Sequence, residues 1–252
     1  MGAVSGRAWH CVWGADVIRL GRWESVLADV ECDAVICDPP YSARNHDGHN
    51  GAKAKRTEHD REAIAYTSWT AEDVSAFVSS WSPRVHGWMV ALTSHDLVPA
   101  WESAHADAGR YCFAPVPCVI VGMSCRLMSD GPSSWSVYAV VARPKTRAMH
   151  KWGTLPGAYV VPKAYDGSGG GRGKPLDLMR ALVRDYSRPG DLICDPCAGY
   201  GTTGVAALGM GRRFVGAECD EAAHAEALVR LGRVQPVDLF DADRGAKQTG
   251  LL

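Results

Sequence analysis

Short apolar runs, each closed by polar or Gly/Pro-containing stretches, recur along the chain and predict alternating strands and helices. Ala34-Val35-Ile36-Cys37 reads as a short buried strand. Trp88–Leu92, Cys118–Met123 and Ser136–Ala142 read as three more. The turn residues Asp130-Gly131-Pro132 between the last two predict a hairpin-like, antiparallel connection. Leu192-Ile193-Cys194 and Arg213–Ala217 follow, and a short apolar stretch, Trp9–Trp13, precedes them all. Helical spacing is found over 23–27, and over 70–80 with Thr70 as N-cap, Asp73 at the third helical position and Val74, Phe77 and Val78 on the apolar face. Further helices are predicted over 97–108, stopped by Gly109, over 175–186 with Pro175 at the first helical position, over 205–210 and over 221–231. Strands alternating with helices predict an α/β fold, a mostly parallel sheet covered on both faces.

Two segments break this rhythm. Residues 42–61 are polar and rich in Asn, His, Gly and Lys, which predicts a long loop of functional or mobile character. Residues 144–173 are dominated by Pro, Gly and basic side chains and end in Gly167-Ser168-Gly169-Gly170-Gly171, a linker or a small irregular module. Beyond Pro236 the patterning fades into an extended tail.

Composition adds little against this picture. The 252 residues are 46% hydrophobic and 22% charged, as in an ordinary globular protein. No apolar run approaches the ~20 residues of a membrane span, and the N-terminus lacks a signal-peptide core, so a cytoplasmic protein is expected. The nine cysteines are odd in number and mostly sit in apolar runs, which predicts buried, reduced thiols. Cys194 and Cys197 form one Cys-x-x-Cys without a second pair, whereas structural zinc needs four ligands, so no metal is expected. Net charge is −1, but residues 141–174 carry +6. That segment is a candidate phosphate-contacting surface.

Two stretches carry candidate chemistry. Asp38-Pro39-Pro40-Tyr41 follows the first strong strand, where ligands bind in open α/β sheets. The prolines stiffen the backbone and leave carbonyls available, next to a carboxylate and a flat ring. Asp195-Pro196-Cys197-Ala198-Gly199-Tyr200-Gly201-Thr202-Thr203-Gly204 lies between a strand and a helix. Its glycines admit a ligand close to the backbone, and the helix N-terminus offers free N–H groups. The next strand ends in Glu218, a ribose-hydroxyl acceptor by position. Nicotinamide, flavin and S-adenosylmethionine all remain open on this spacing.

Together, Asp-Pro-Pro-Tyr after one strand and Asp-Pro-Cys-Ala-Gly-Tyr-Gly-Thr-Thr after another resemble the S-adenosylmethionine-dependent amino-group DNA methyltransferases. Their cofactor loop reads Asp-Pro-Phe-x-Gly-Ser-Gly-Thr-Thr, so Cys197 and Tyr200 depart from it. Lys174-Pro175 resembles the element preceding that loop. Gly14-Ala15-Asp16 resembles the N-terminal Gly-Asp with one residue inserted. The order, catalytic motif before cofactor loop, resembles the circularly permuted β group, and the likeness runs from about Trp9 to Leu231.

The resemblance implies one Rossmann-like methyltransferase domain with a mostly parallel seven-stranded sheet. A catalytic half (9–143) would precede a short target-recognition segment (144–173), a cofactor half (174–235) and a tail (236–252). It implies transfer of a methyl group from S-adenosyl-L-methionine to the exocyclic amine of a base flipped out of double-stranded DNA. Asp38, Pro39, Pro40 and Tyr41 would be catalytic. Asp16, Asp38, Lys174, Asp195, Pro196, Cys197, Ala198, Gly199, Gly201, Thr202, Thr203, Glu218 and Cys219 would line the cofactor. Lys53, Lys55, Arg56, Arg143, Lys145, Arg147 and Lys151 would meet DNA. An acid at position 38 is usual for N6-adenine enzymes and Ser for N4-cytosine enzymes, which favours adenine. A cytosine enzyme, an RNA methyltransferase or an inactive DNA-binding homologue are the rivals. A monomer or homodimer is expected, without indication of a restriction-endonuclease partner.

Overall fold

The structure, a computed structural model, describes residues 17–44, 67–123, 135–145, 152–163 and 173–234. Its elements in chain order are β1 (Ile18–Leu20), α1 (Trp23–Val26), β2 (Ala34–Cys37), α2 (Ala71–Trp81), β3 (Met89–Thr93), α3 (Val98–Asp107), β4 (Arg110–Cys112), β5 (Val116–Val121), β6 (Ser136–Pro144), β7 (Tyr159–Pro162), α4 (Leu176–Tyr186), β8 (Leu192–Asp195), α5 (Thr202–Gly209), β9 (Arg213–Glu218) and α6 (Glu221–Gly232). A 3₁₀ turn, Ser82–Arg84, follows α2.

β2 and β3 are buried at every position. Such strands need cover on both faces, and the sheet has it. Ile36, Val90 and Leu92 face a layer built by Leu178, Met179, Leu182 and Val183 of α4, with Ala206 of α5 and Ala227 and Leu231 of α6. Val35, Cys37, Met89 and Ala91 face the other layer, Leu27 with Val74, Phe77, Val78 and Trp81 of α2 and Trp101 of α3. α2 begins as its sequence predicts: the Thr70 side chain accepts from the Asp73 N–H, and the Asp73 carboxylate accepts from the Thr70 N–H. Its apolar stripe docks Phe77 edge-on to Trp23 and Trp101.

The strand order is β1-β9-β8-β2-β3-β6-β5-β7, with β4 also paired to β6. β1, β9, β8, β2 and β3 run parallel. β6 is antiparallel to β3, β4 and β5, in keeping with the hairpin-like connection expected between β5 and β6. The described residues therefore form nine strands where the resemblance implied seven. β6 is two residues longer than its apolar run, and its far end pairs with β4. β7 lies inside the stretch expected to be a linker. There, alternate residues Tyr159 and Val161 are buried while Val160 is exposed, and the strand pairs in parallel with β5.

The order of strands positions the site. From β8 the chain moves outward to β9, while β2 leads the other way to β3. β8 and β2, distant in sequence, are neighbours with Val35 opposite Cys194. This seam is a topological switch point, the place where open α/β sheets bind their ligands.

Candidate active site

Asp38 leaves the C-terminal end of β2, and Asp195 ends β8 beside it. Pro39 is buried, and Trp69 donates its backbone N–H to the Tyr41 carbonyl at 3.0 Å, so the tetrapeptide is anchored at both ends. The Tyr41 hydroxyl donates to Asp38 Oδ1 at 3.0 Å. Lys174 Nζ donates to Asp38 Oδ2 at 2.7 Å and stands 4.7 Å from the centre of the Tyr41 ring. Lys174 was expected in the cofactor pocket; its ammonium is on the carboxylate of the tetrapeptide.

The second loop is organised by two carboxylates. Asp195 is buried, and its Oδ1 accepts the Cys197 N–H at 3.0 Å. Burial raises its pKa to about 7. Hydrogen bonds from the Thr203 hydroxyl and the Cys197 N–H pull the other way, and the neighbouring Asp38 and Glu218 charges add to the rise. Glu218, at the end of β9, accepts the Gly199 N–H at 2.7 Å and the Asp220 N–H at 2.8 Å. Gly201 occupies the left-handed region with φ +74°, where a Cβ would press on Ala227 at 3.1 Å. Gly199 also has positive φ, but a Cβ there would meet nothing within 4 Å. That open space beside bare backbone, with the N-terminus of α5 starting at Thr202 and acids at 195 and 218, suits a polar ligand that carries hydroxyl groups.

Burial pushes the thiols of Cys37 and Cys194 well above their ordinary range, so neither presents a thiolate to the crevice. Cys219 is exposed just past Glu218. Among the described residues no group of His, Cys, Asp and Glu is arranged to hold a metal ion.

Of the expected site residues, Asp38, Pro39, Pro40, Tyr41, Lys174 and the set from Asp195 to Cys219 gather at this one end of the sheet. Arg143 and Lys145 do not. β6 runs antiparallel to β3, so Ala139 lies opposite Leu92 while Ala142 lies opposite Met89. Arg143 is thus carried to the opposite end, about four residues or ~13 Å along the strand direction from the level of Asp38. There its guanidinium lies 5.1 Å from the Tyr111 ring centre and 5.7 Å from that of Phe113. Asp16, Lys53, Lys55, Arg56, Arg147 and Lys151 fall outside the described residues. One supporting residue escaped the motif reading: Arg230 of α6 donates to the Tyr200 carbonyl at 2.7 Å and to Thr202 Oγ1 at 3.2 Å, clamping the loop from behind. No motif spacing marks it, because the contact depends on how α6 packs.

Residues 163–228 match the DNA methylase family of N6 and N4 enzymes. The putative methylase YubD of Escherichia coli (strain K12) is 40% identical over 62 residues, 25% of this chain and 27% of that protein. The DNA adenine methyltransferase YhdJ of the same organism is 44% identical over 45 residues, 18% of this chain and 15% of that protein. The chain thus matches no more than about a quarter of the length of these curated relatives. Among solved structures, the complex of M1.HpyAVI with SAM aligns over 85% of this chain and 98% of that one, with TM-score 0.62 and 19% identity. The cytosine-N4-specific PvuII DNA methyltransferase aligns over 92% and 89%, with TM-score 0.61 and 13% identity. At these identities the structures speak for a shared fold.

Proposed function

We propose that this chain, of which residues 163–228 match the DNA methylase family, moves the methyl group of S-adenosyl-L-methionine to the exocyclic N6 amine of a flipped adenine in duplex DNA. One observation carries the reading. The Asp38-Pro39-Pro40-Tyr41 loop and the Asp195–Thr203 loop emerge from adjacent strands, β2 and β8, at the same end of the sheet. An acceptor-lined loop and a glycine-rich ligand loop thereby share one crevice at the switch point.

Asp195, Gly199, Gly201, Thr202 and Glu218 would hold the cofactor, with Glu218 toward the ribose. When bound, S-adenosylmethionine supplies a methyl group on a positively charged sulfur. The chain's own part concerns the amine. Its lone pair is delocalised into the base and makes it a poor nucleophile. The Asp38 carboxylate would accept one amine N–H and the Pro39 carbonyl the other, localising the lone pair on nitrogen as it attacks. The nitrogen would gain the methyl group while the pair of the broken sulfur–methyl bond stays with the neutral thioether that leaves, and would give up one proton to solvent. Tyr41 would stack on the extruded base and offset part of the few kcal/mol that flipping costs. Because no covalent enzyme intermediate is involved, positioning supplies most of the rate gain.

The acid at position 38 supports adenine. The fold likeness to a cytosine-N4-specific enzyme keeps N4 of cytosine as the second reading. Incubating the protein with tritiated S-adenosylmethionine and unmodified duplex DNA tests the substrate class, and sequencing the treated plasmid for modified bases identifies base and site together. Label entering RNA or protein but not DNA would sink the proposal. Double-stranded DNA is the proposed partner, met by a monomer or a homodimer. No helix among the described residues is long and apolar enough to cross a membrane.

A further inference from the structure

We infer that Lys174 is a positioning residue for Asp38 rather than a ligand of the cofactor. This rests on the function proposed above and assigns Lys174 a task within it.

The Asp38 carboxylate is attached through a torsion that on its own has a broad, weakly defined preference. Here both of its oxygens are held. Oδ2 takes the Lys174 ammonium at 2.7 Å, and Oδ1 takes the Tyr41 hydroxyl at 3.0 Å. The pair is partly shielded, with the Lys174 side chain 17% exposed and that of Asp38 28% exposed, so water competes weakly for it. A carboxylate offers about four lone-pair directions, so two donors leave room for an incoming amine N–H. The same ammonium stands over the Tyr41 ring, within range of a cation–π attraction that fixes the plane of the ring. One cation thus orients both the acceptor and the stacking surface of the tetrapeptide.

The backbone explains how Lys174 reaches this place. Gly173 has φ +105°, and a Cβ there would come within 3.3 Å of Thr202 Oγ1, the first residue of α5. The segment passes close against the glycine-rich loop's helix and then sends its side chain across the seam to Asp38. Immediately afterwards Pro175 starts α4, whose Leu178 and Leu182 are fully buried, so the origin of the side chain is fixed by the core. Pre-oriented acceptors of this kind act without reorganising as the reaction proceeds.

The test compares the full-length protein with Lys174→Met and Lys174→Arg. Cofactor affinity is read by titration calorimetry with S-adenosylmethionine, and turnover by transfer of labelled methyl to duplex DNA, with thermal melts as a check on folding. The expected result for Lys174→Met is a fall in kcat of roughly 100-fold, the scale of a misplaced reacting group, with the cofactor Kd changed by less than about threefold. Lys174→Arg, which keeps the cation, should recover most of the loss, a rescue that a merely structural lysine would not need. A Lys174→Met protein that keeps its kcat but binds S-adenosylmethionine tenfold more weakly would overturn the inference and return Lys174 to the cofactor pocket. If Lys174→Met fails to fold, Lys174→Gln, which keeps a polar side chain but removes the charge, decides: a loss of affinity without loss of kcat overturns the inference, and a loss of kcat with near-normal affinity supports it. Wild-type protein that labels no DNA would defeat the proposed function itself. Labelling wild type beside a fully active Lys174→Met would defeat only this inference.

Discussion

The backbone N–H of Gly199 donates to Glu218 Oε2 at 2.7 Å, tying the glycine-rich loop to the end of the neighbouring strand β9. The other oxygen of the same carboxylate accepts the N–H of Asp220, whose side chain in turn caps α6 through the Ala223 N–H. Glu218 therefore shapes the loop before it meets any ligand. Glu218→Gln turns one acceptor into a donor that faces an N–H, so the loop loses its anchor. We expect S-adenosylmethionine binding to weaken at least about tenfold, a change of ~1.4 kcal/mol, as read by titration calorimetry. Unchanged affinity would show that neither the anchor nor the ribose contact matters.

Asp195 makes the protein sensitive to pH. Its pKa is raised by burial to about 7 in the fold, against about 3.9 for an unfolded aspartate. Between those values the folded state binds a proton that the unfolded state does not, so this group's stabilisation is complete below pH ~4 and is lost as pH rises through ~7. Without ligand, the melting temperature should fall by a few degrees between pH 6 and pH 8, and Asp195→Asn should flatten that slope. S-adenosylmethionine, being cationic at sulfur, should bind more tightly at pH 8 than at pH 6, while neutral S-adenosylhomocysteine should change less. Equal pH dependence for the two ligands would count against an ionised Asp195 in the pocket.

The parts of the fold carried by local signals were legible in the chain. Thr70 with Asp73 marks the start of α2, Pro175 the start of α4, and the apolar run 34–37 is β2. Three strands were not. β1 and β4 have three residues each, too few for any alternation to stand out, and they exist because β9 and β6 offer them edges. β7 hides its Tyr-Val-Val-Pro run in a stretch dominated by Gly, Pro and basic residues. The site divides the same way. Asp38, Tyr41 and the glycine-rich loop announce themselves by spacing. The ion pair Asp38–Lys174 spans 136 positions and depends on the seam between β2 and β8, which no local pattern encodes. Charge along the chain marks Arg143 as a candidate for DNA, but a run of basic residues does not record that β6 carries it to the end of the sheet away from Asp38.

That location makes a prediction about DNA. Arg143 and Lys145 lie at the end of the sheet away from Asp38. Replacing both with Ala should leave DNA affinity within about threefold and the salt dependence unchanged. The cluster Lys53, Lys55 and Arg56, proposed to meet phosphates, should behave differently. Its triple Ala variant should weaken binding and reduce the slope of log K against log salt by up to ~3, nearly one unit for each phosphate no longer neutralised. Binding isotherms at several salt concentrations read both. A large loss from Arg143→Ala alone would mean that the DNA path extends well beyond the crevice.

Gly204 tests the packing behind the loop. It lies in the first turn of α5, where a Cβ would fall 2.6 Å from Phe214 Cε1 and 2.7 Å from Leu231 Cδ2. Both neighbours are buried, and the Phe214 ring also closes on Gly216, so it has little room to retreat. Alanine normally favours a helix over glycine by ~1 kcal/mol. Overpacking of a core typically costs about 1–3 kcal/mol. The clash should win, and Gly204→Ala should lower the melting temperature by roughly 2–8 °C for a chain of this size. Gly232, the last residue of α6, is the internal control: its φ is ordinary and a Cβ there meets nothing within 4 Å. Gly232→Ala should therefore leave the melting temperature unchanged or raise it slightly. If both variants melt alike, the close approach of α5 to Phe214 and Leu231 does not constrain position 204.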